Sequence, residues 1–138
     1  MGLLIKGAEH MIFALFGDKK KREAKQLNRD VYTIIEQAKQ LYSPKRLCNM
    51  AETVAELIAR AHLRYGTSEV DLKRAHFDYR GLHKEARQKN DQVRLSAMTL
   101  VIIYIRAEIV GPGASPAIAE IDEFIKEWLT EKYNKGKK

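Results

Sequence analysis

The chain has 138 residues, of which 45% are hydrophobic and 31% are charged, and its formal net charge at pH 7 is +7. This length is enough for one soluble globular domain that needs no metal or disulfide to hold its core, and the one cysteine, Cys48, excludes an internal disulfide. We expect a reducing, cytoplasmic location, and the basic charge favours an acidic protein, a nucleic acid or an anionic membrane as partner.

An apolar segment opens the chain. On a helical wheel, its apolar side chains between Leu3 and Phe16 cover more than half of the circumference, which is too wide for an ordinary surface helix. The segment has only about 14 residues, including charged ones, whereas a membrane span needs roughly 20 mostly apolar residues. We therefore predict a docking helix over residues 1–17, which contacts a partner subunit or a membrane surface through Leu3, Leu4, Met11, Ile12, Leu15 and Phe16.

A basic cluster follows directly. Residues 18–46 carry nine basic and four acidic side chains, so most of the excess charge lies beside the apolar segment. In the first turn of a separate helix each cation would be unfavourable by about 0.3 to 1 kcal/mol, because the helix dipole is positive there. Either the first two helices are continuous through Gly17, or the cations face an external anion; a solvated run without a specific partner is the remaining alternative. We predict polyanion contact at Lys19, Lys20, Lys21, Arg22 and Lys25.

Helical spacing of apolar residues dominates the rest of the chain, and strand alternation is absent. A second helix is predicted from Asp18 to Tyr42. Ser43 followed by Pro44 is a start signal for a third helix, because serine caps helix N-termini and proline fits the first helical position. Gly66 marks the end of that helix.

The fourth and fifth helices follow. The fourth is predicted to start at Thr67 or Ser68 and to stop at a polar group, residues 88–91. The fifth is apolar nearly all round between Leu95 and Ile105, so we expect it to be the central, buried helix.

The last helix follows a break at residues 111–113 and a second Ser-Pro start signal at Ser115. Every loop is too short to mark a domain boundary. We therefore predict a single all-α domain over residues 1–138, made of a bundle of about five helices over 18–133, the apolar docking helix over 1–17 and a frayed basic tail over 134–138.

A group of histidines and arginine lies on the fourth predicted helix. His76, Arg80 and His83 are four and seven residues apart and could form a binding site. Seven residues span roughly 10 Å of helix, so one metal ion cannot bind both histidines directly. We favour the interpretation of this group as a solvated polar face.

Other residue types of functional sites have ordinary structural interpretations. Glu52 and Glu56 lie one turn apart, but no glutamate has a histidine three residues on, so we interpret them as surface side chains with Glu56 paired to Arg60. Cys48 lies near a predicted helix start but has no histidine close in sequence.

Two charges interrupt the apolar fifth helix near its end. A charged group near a buried helix must be paired or reach water. We therefore expect Glu108 to find a cation or to mark a subunit contact, with the alternative that Arg106 and Glu108 both reach solvent at the helix end.

The sequence predicts no catalytic, cofactor or metal site, and three functions remain open. The first is a non-enzymatic interaction or assembly protein, which docks through residues 1–17 and the basic cluster on a protein partner, a second copy or an anionic membrane, and is then peripheral at that membrane. The second is a nucleic-acid-binding protein. It uses a further basic set in which acidic residues alternate with the cations, namely Lys73, Arg74, Arg80, Lys84, Arg87, Lys89 and Arg94. The third is an enzyme with a dispersed site.

Overall fold

The computed structural model is all-helical in the part of the chain that it describes, which for side chains comprises residues 19–111 and 115–131. This confirms the predicted all-α class. The elements, in chain order, are α1 (Gly2–Leu41), α2 (Pro44–Tyr65), α3 (Glu69–Gln88), α4 (Gln92–Val110) and α5 (Ala117–Gly136).

Helix α1 covers the first two predicted helices as one element. Lys19, Lys20, Lys21 and Arg22 therefore lie within a helix and not in the first turn after a separate N-terminus, so the unfavourable dipole interaction does not arise. The predicted tail, 134–138, lies outside the residues whose side chains are described. So do the predicted docking side chains, Leu3, Leu4, Met11, Ile12, Leu15 and Phe16, and the docking helix stays a prediction.

Helix ends form at the residues that the sequence predicts. Ser43 caps α2, since its Oγ accepts a hydrogen bond from the Arg46 N–H at 3.4 Å. Gly66 ends α2 with a φ of +99°, a backbone conformation that glycine adopts without a Cβ clash. Ser68 caps α3 by accepting from the Asp71 N–H at 3.2 Å.

Helix α4 is the centre of the bundle. It packs against each of the other four helices. Six of its side chains are 0% exposed: Ala97, Met98, Leu100, Val101, Ile105 and Ala107. The segment that is apolar nearly all round is thus mostly buried, because neighbouring helices on most sides remove its apolar faces from water.

The other four helices surround α4 incompletely. Going around it, α1 contacts α5, α5 contacts α2, and α2 contacts α3, but no comparable contact joins α3 to α1 within the described residues. A strip of α4 therefore faces a gap between α1 and α3.

Candidate functional site

A groove of about 800 Å³ occupies the gap between α1 and α3. Its floor consists of side chains of α4 that recur at helical spacing, namely Thr99, Ile102, Arg106 and Ile109. One wall is formed by α3, through Lys73, His76, Arg80, His83, Lys84 and Arg87. Glu23 of α1 lines the other side. We call this feature the basic groove.

The lining of the basic groove is strongly cationic. Among the residues that the structure describes, it contains five lysine and arginine side chains and one carboxylate. The carboxylate, Glu23, is itself engaged, because the Arg106 Nη2 donates to its Oε1 at 2.7 Å. Lys73 pairs at 3.2 Å with Glu69, a residue of the first turn of α3. The remaining excess of positive charge favours an anionic ligand.

Two rows of charged residues on α3 lie on opposite faces of the helix. One row consists of acidic residues and the other of cationic residues. Within each row the residues are seven positions apart, and each cationic residue lies two positions after an acidic one. Two residues turn the helix by about 200°, so the rows point in nearly opposite directions. The acidic row is Asp71, Asp78 and Glu85, and the cationic row, which faces the groove, is Lys73, Arg80 and Arg87.

Three acidic residues on or next to α3 have local partners away from the groove lining. The Ser68 hydroxyl donates to Asp71 Oδ2 at 2.6 Å, and the Tyr65 hydroxyl donates to Asp78. Asp91 caps α4 by accepting from the Arg94 N–H at 3.1 Å. The alternation of acids and cations along the sequence therefore does not neutralise the groove.

His76 lies half-buried in the α3 wall. Burial, followed by the positive charges of Arg106 and Arg80, lowers the pKa of His76 from its ordinary value of 6.5, and the nearby carboxylate of Glu23 opposes this shift. His76 is consequently a neutral side chain at neutral pH. A bound anion would reverse the electrostatic part of this effect and favour the protonated ring.

The hydrogen bonds of His83 specify its tautomer. The Thr99 hydroxyl has one hydrogen and donates it to the Leu95 carbonyl oxygen at 2.8 Å. The His83 Nε2 lies 3.0 Å from the same hydroxyl oxygen, so Nε2 must carry the hydrogen of that bond. His83 therefore donates a hydrogen bond from Nε2 to Thr99 of the groove floor, and Nδ1 is the ring nitrogen that takes no part in this bond.

A second groove, of about 590 Å³, continues from the first. The two share His83, Arg87 and Thr99. The second groove adds apolar side chains from α1 and α4, namely Ile34, Ala38, Leu41 and Leu95. The floor of the two grooves together extends along α4 for roughly 21 Å from Leu95 to Ile109, at about 1.5 Å per helical residue.

The basic residues predicted from the sequence are only partly brought together. Of the second basic set, Lys73, Arg80, Lys84 and Arg87 line the basic groove, whereas Arg74, Lys89 and Arg94 do not. His76, Arg80 and His83 line the basic groove, where Arg80 is exposed and the two histidines are half-buried, so the polar face that we favoured from the sequence lies along this groove. Lys19, Lys20, Lys21, Arg22 and Lys25 are all exposed on α1, outside the groove lining.

Several smaller expectations concern pairs outside the groove. Glu56 pairs with Arg60 at 2.6 Å, as the sequence predicts. Glu108 binds the Nε2 of His62, at 2.9 and 3.0 Å from its two oxygens, so its partner is a histidine that is cationic only when protonated. Cys48 is 7% exposed, which limits access to its thiol.

Comparison with known proteins gives no assignment: no family model, curated protein or solved structure matches this chain. Within the described residues, no group of three or more histidine, cysteine or acidic side chains could hold a metal ion. In the same part of the chain, no helix combines the length and apolar character needed to cross a membrane.

Proposed function

We propose that this protein is a non-enzymatic interaction protein that binds an acidic, amphipathic helix of a partner protein in the basic groove. The observation that supports this proposal is the combination of an apolar floor at Ile102 and Ile109 with a cationic α3 wall. A helix with one apolar stripe and acidic flanks matches both features, which is the helix-in-groove mode of recognition.

The arrangement of the bundle suits a helical ligand. Helices α1, α5, α2 and α3 follow one another around α4, and a further helix in the gap between α3 and α1 would complete the ring. Packed helices lie about 8 to 10 Å apart, so such a ligand would contact the α4 floor and both walls. The combined floor of the two grooves, roughly 21 Å from Leu95 to Ile109, corresponds to about four helical turns.

The charges define the orientation of the polar flanks. Arg80, Lys84 and Arg87 lie along one wall, whereas the second groove beside α1 is lined largely by apolar and uncharged side chains. Acidic residues of the ligand would therefore face α3. Arginine is well suited to this role because its guanidinium group binds carboxylates in a bidentate geometry.

A nucleic-acid ligand fits the groove less well. Single-stranded nucleic acid binds through aromatic side chains on which its bases stack. Among the described residues, the basic groove is lined by two histidines and by no tyrosine, phenylalanine or tryptophan, and Tyr42 lines only the second groove. Phosphate attraction alone would not use the apolar floor at Ile102 and Ile109.

The test is peptide binding by fluorescence anisotropy. The probe is a labelled, acidic amphipathic helical peptide of about four turns, and a scrambled peptide of the same composition is the control. The groove variant Arg80→Gln/Arg87→Gln is compared with Arg74→Gln/Lys89→Gln, which removes two exposed cations outside the groove lining. We expect the groove variant to weaken binding at least about tenfold, because it loses charge-assisted hydrogen bonds to the peptide. The control pair should weaken binding less than about twofold.

Three outcomes contradict the proposal. Equal weakening by both variants, or equal binding of the scrambled peptide, would show attraction to net charge alone. Binding of random duplex DNA that depends on Arg80 and Arg87 and exceeds peptide binding would assign the groove to nucleic acid instead.

The N-terminal segment supplies a second docking candidate, which we also propose. The exposure of Lys19, Lys20, Lys21, Arg22 and Lys25 supports contact of residues 1–17 and this cluster with an anionic membrane surface or a second subunit. The full chain and a chain without residues 2–17 are compared for sedimentation with phosphatidylserine vesicles and for solution mass. Unchanged vesicle binding and unchanged mass in a folded truncated chain would contradict this second proposal.

A further inference from the structure

We infer that the part of the basic groove formed by His76, Arg80 and Arg106 binds a phosphate monoester dianion. On the proposed partner helix this group is a phosphorylated serine or threonine, so the inference rests on the proposed function. The phosphate group would be bound at one defined position, in addition to the general preference of the groove for acidic ligands.

Three nitrogen-bearing side chains from two helices line this part of the groove. His76 and Arg80 lie one helical turn apart on α3, and Arg106 lies on the α4 floor. Guanidinium groups present paired N–H donors that match two phosphate oxygens, and a monoester dianion offers three strong acceptor oxygens. The site therefore has donors for a tetrahedral ligand from two directions.

A carboxylate already lies against this site in the unliganded protein. Glu23 Oε1 accepts from Arg106 Nη2 at 2.7 Å, and the Glu23 side chain is 34% exposed. A phosphate dianion carries a larger charge than a carboxylate and can displace Glu23 from Arg106. Glu23 is thus a competitor for the ligand, and its removal should strengthen phosphate binding.

His76 gives the site a proton-linked response. The charged groups around it are Arg80 and Lys73 on its own helix, Arg106 on α4 and Glu23 on α1. In the unliganded protein, burial and the two arginines lower the His76 pKa, and a dianion beside the ring would raise it. Binding of the dianion should therefore be accompanied by proton uptake on His76.

The test compares the acidic peptide with one central serine against the same peptide carrying phosphoserine. For the wild-type protein we expect phosphorylation to tighten binding at least about tenfold, through charge-assisted hydrogen bonds. This gain should fall below about threefold in Arg80→Gln, persist in Arg74→Gln, and increase in Glu23→Gln because the competing carboxylate is absent.

A second readout is the pKa of His76, followed by NMR with and without saturating phosphopeptide, inorganic phosphate or sulfate. We expect the pKa to rise with each dianion, and sulfate separates this effect from the titration of phosphate itself. A rise with phosphopeptide alone would show that the peptide context is needed and still supports the site.

The inference is overturned if phosphorylation gives less than a twofold gain, if the gain is the same in Arg80→Gln as in the wild type, or if no dianion changes the His76 pKa. Binding of the unphosphorylated peptide is measured in the same series. If the unphosphorylated peptide binds and phosphorylation gives no gain, only the phosphate site is contradicted. If the unphosphorylated peptide does not bind, the proposed function is contradicted.

Discussion

Arg106 of α4 and Glu23 of α1, 83 residues apart in sequence, form an ion pair in which Nη2 lies 2.7 Å from Oε1. The pair links the floor of the basic groove to its α1 side. Within the described lining, it also places the one carboxylate against the one floor cation, so that the α3 cations Arg80, Lys84 and Arg87 provide the excess charge of the groove.

The Arg106 and Glu23 side chains are 42% and 34% exposed, so their ion pair should contribute only modestly to stability. A double-mutant cycle with Glu23→Gln and Arg106→Gln should give a coupling energy of about 0.2 to 1 kcal/mol, which decreases at high salt because exposed charges are screened. Urea unfolding of the four proteins at low and high salt measures it. A coupling that is both larger than about 2 kcal/mol and independent of salt would contradict this description.

Protonation of His76 should destabilise the folded protein. The His76 pKa is lower in the folded chain than its ordinary value of 6.5, so the unfolded chain binds the proton more readily. The contribution of neutral His76 to the free energy of unfolding is complete above pH 6.5. It is lost as the pH falls through 6.5 toward the lower pKa that His76 has in the folded chain.

His76→Gln isolates this effect, since it removes the His76 imidazole and leaves all carboxylates and the other histidines in place. The free energy of unfolding of the wild type, relative to this variant, should decrease between about pH 8 and pH 5. Urea unfolding across that range measures the difference. A difference that stays constant or increases toward low pH would mean that the folded-state pKa of His76 is not lowered.

Tyr79 joins α3 to α2 through a part-buried hydrogen bond. The Tyr79 side chain is 5% exposed, and its hydroxyl donates to the Leu57 carbonyl oxygen at 2.9 Å. Tyr79→Phe should destabilise the fold by about 1 kcal/mol, the typical net contribution of such a bond. Tyr32→Phe is the matched control, because the Tyr32 hydroxyl bonds Glu120 at an exposed position and its loss should change little. Equal effects in thermal unfolding would contradict the difference.

The structure differs from the sequence prediction most clearly where tertiary packing decides. The helix ends at Ser43, Gly66 and Ser68 could be predicted, because capping depends on neighbouring residues. The central position of α4 followed from its apolar circumference. The gap between α1 and α3 could not be predicted, since the order of helices around α4 is not contained in any local pattern.

Ser115 has two bonding roles at the start of the last helix. Its hydroxyl donates to Asn28 Oδ1 at 2.9 Å and accepts from the Ala117 N–H at 3.3 Å, and the side chain is 1% exposed. Ser115→Ala should cost about 1 to 3 kcal/mol, because it leaves a polar group of Asn28 without this donor. Ser43→Ala, at an exposed cap, should cost about 1 kcal/mol or less. Urea unfolding compares the two variants, and a smaller loss at Ser115 would contradict this account.

Part of the candidate site could have been found from the sequence. The seven-residue spacing of Lys73, Arg80 and Arg87 places these cations on one face of α3, about 200° from the acidic row. By contrast, Glu23 and Arg106 come from helices far apart in the chain, and no local pattern relates them. The interpretation of His76, Arg80 and His83 as a solvated polar face agrees with the exposure of Arg80, but it did not include the groove that α1 and α4 form beside α3.

The most direct measurement of the central claim is methyl NMR of isoleucine-labelled protein titrated with the acidic amphipathic peptide. Ile102 and Ile109 lie on the floor of the basic groove, and Ile125 on α5 is the control outside both grooves. We predict saturable shifts of the Ile102 and Ile109 methyl signals and no comparable shift of Ile125. Saturable binding that leaves the two floor methyls unchanged would contradict the proposal that the groove holds the partner helix.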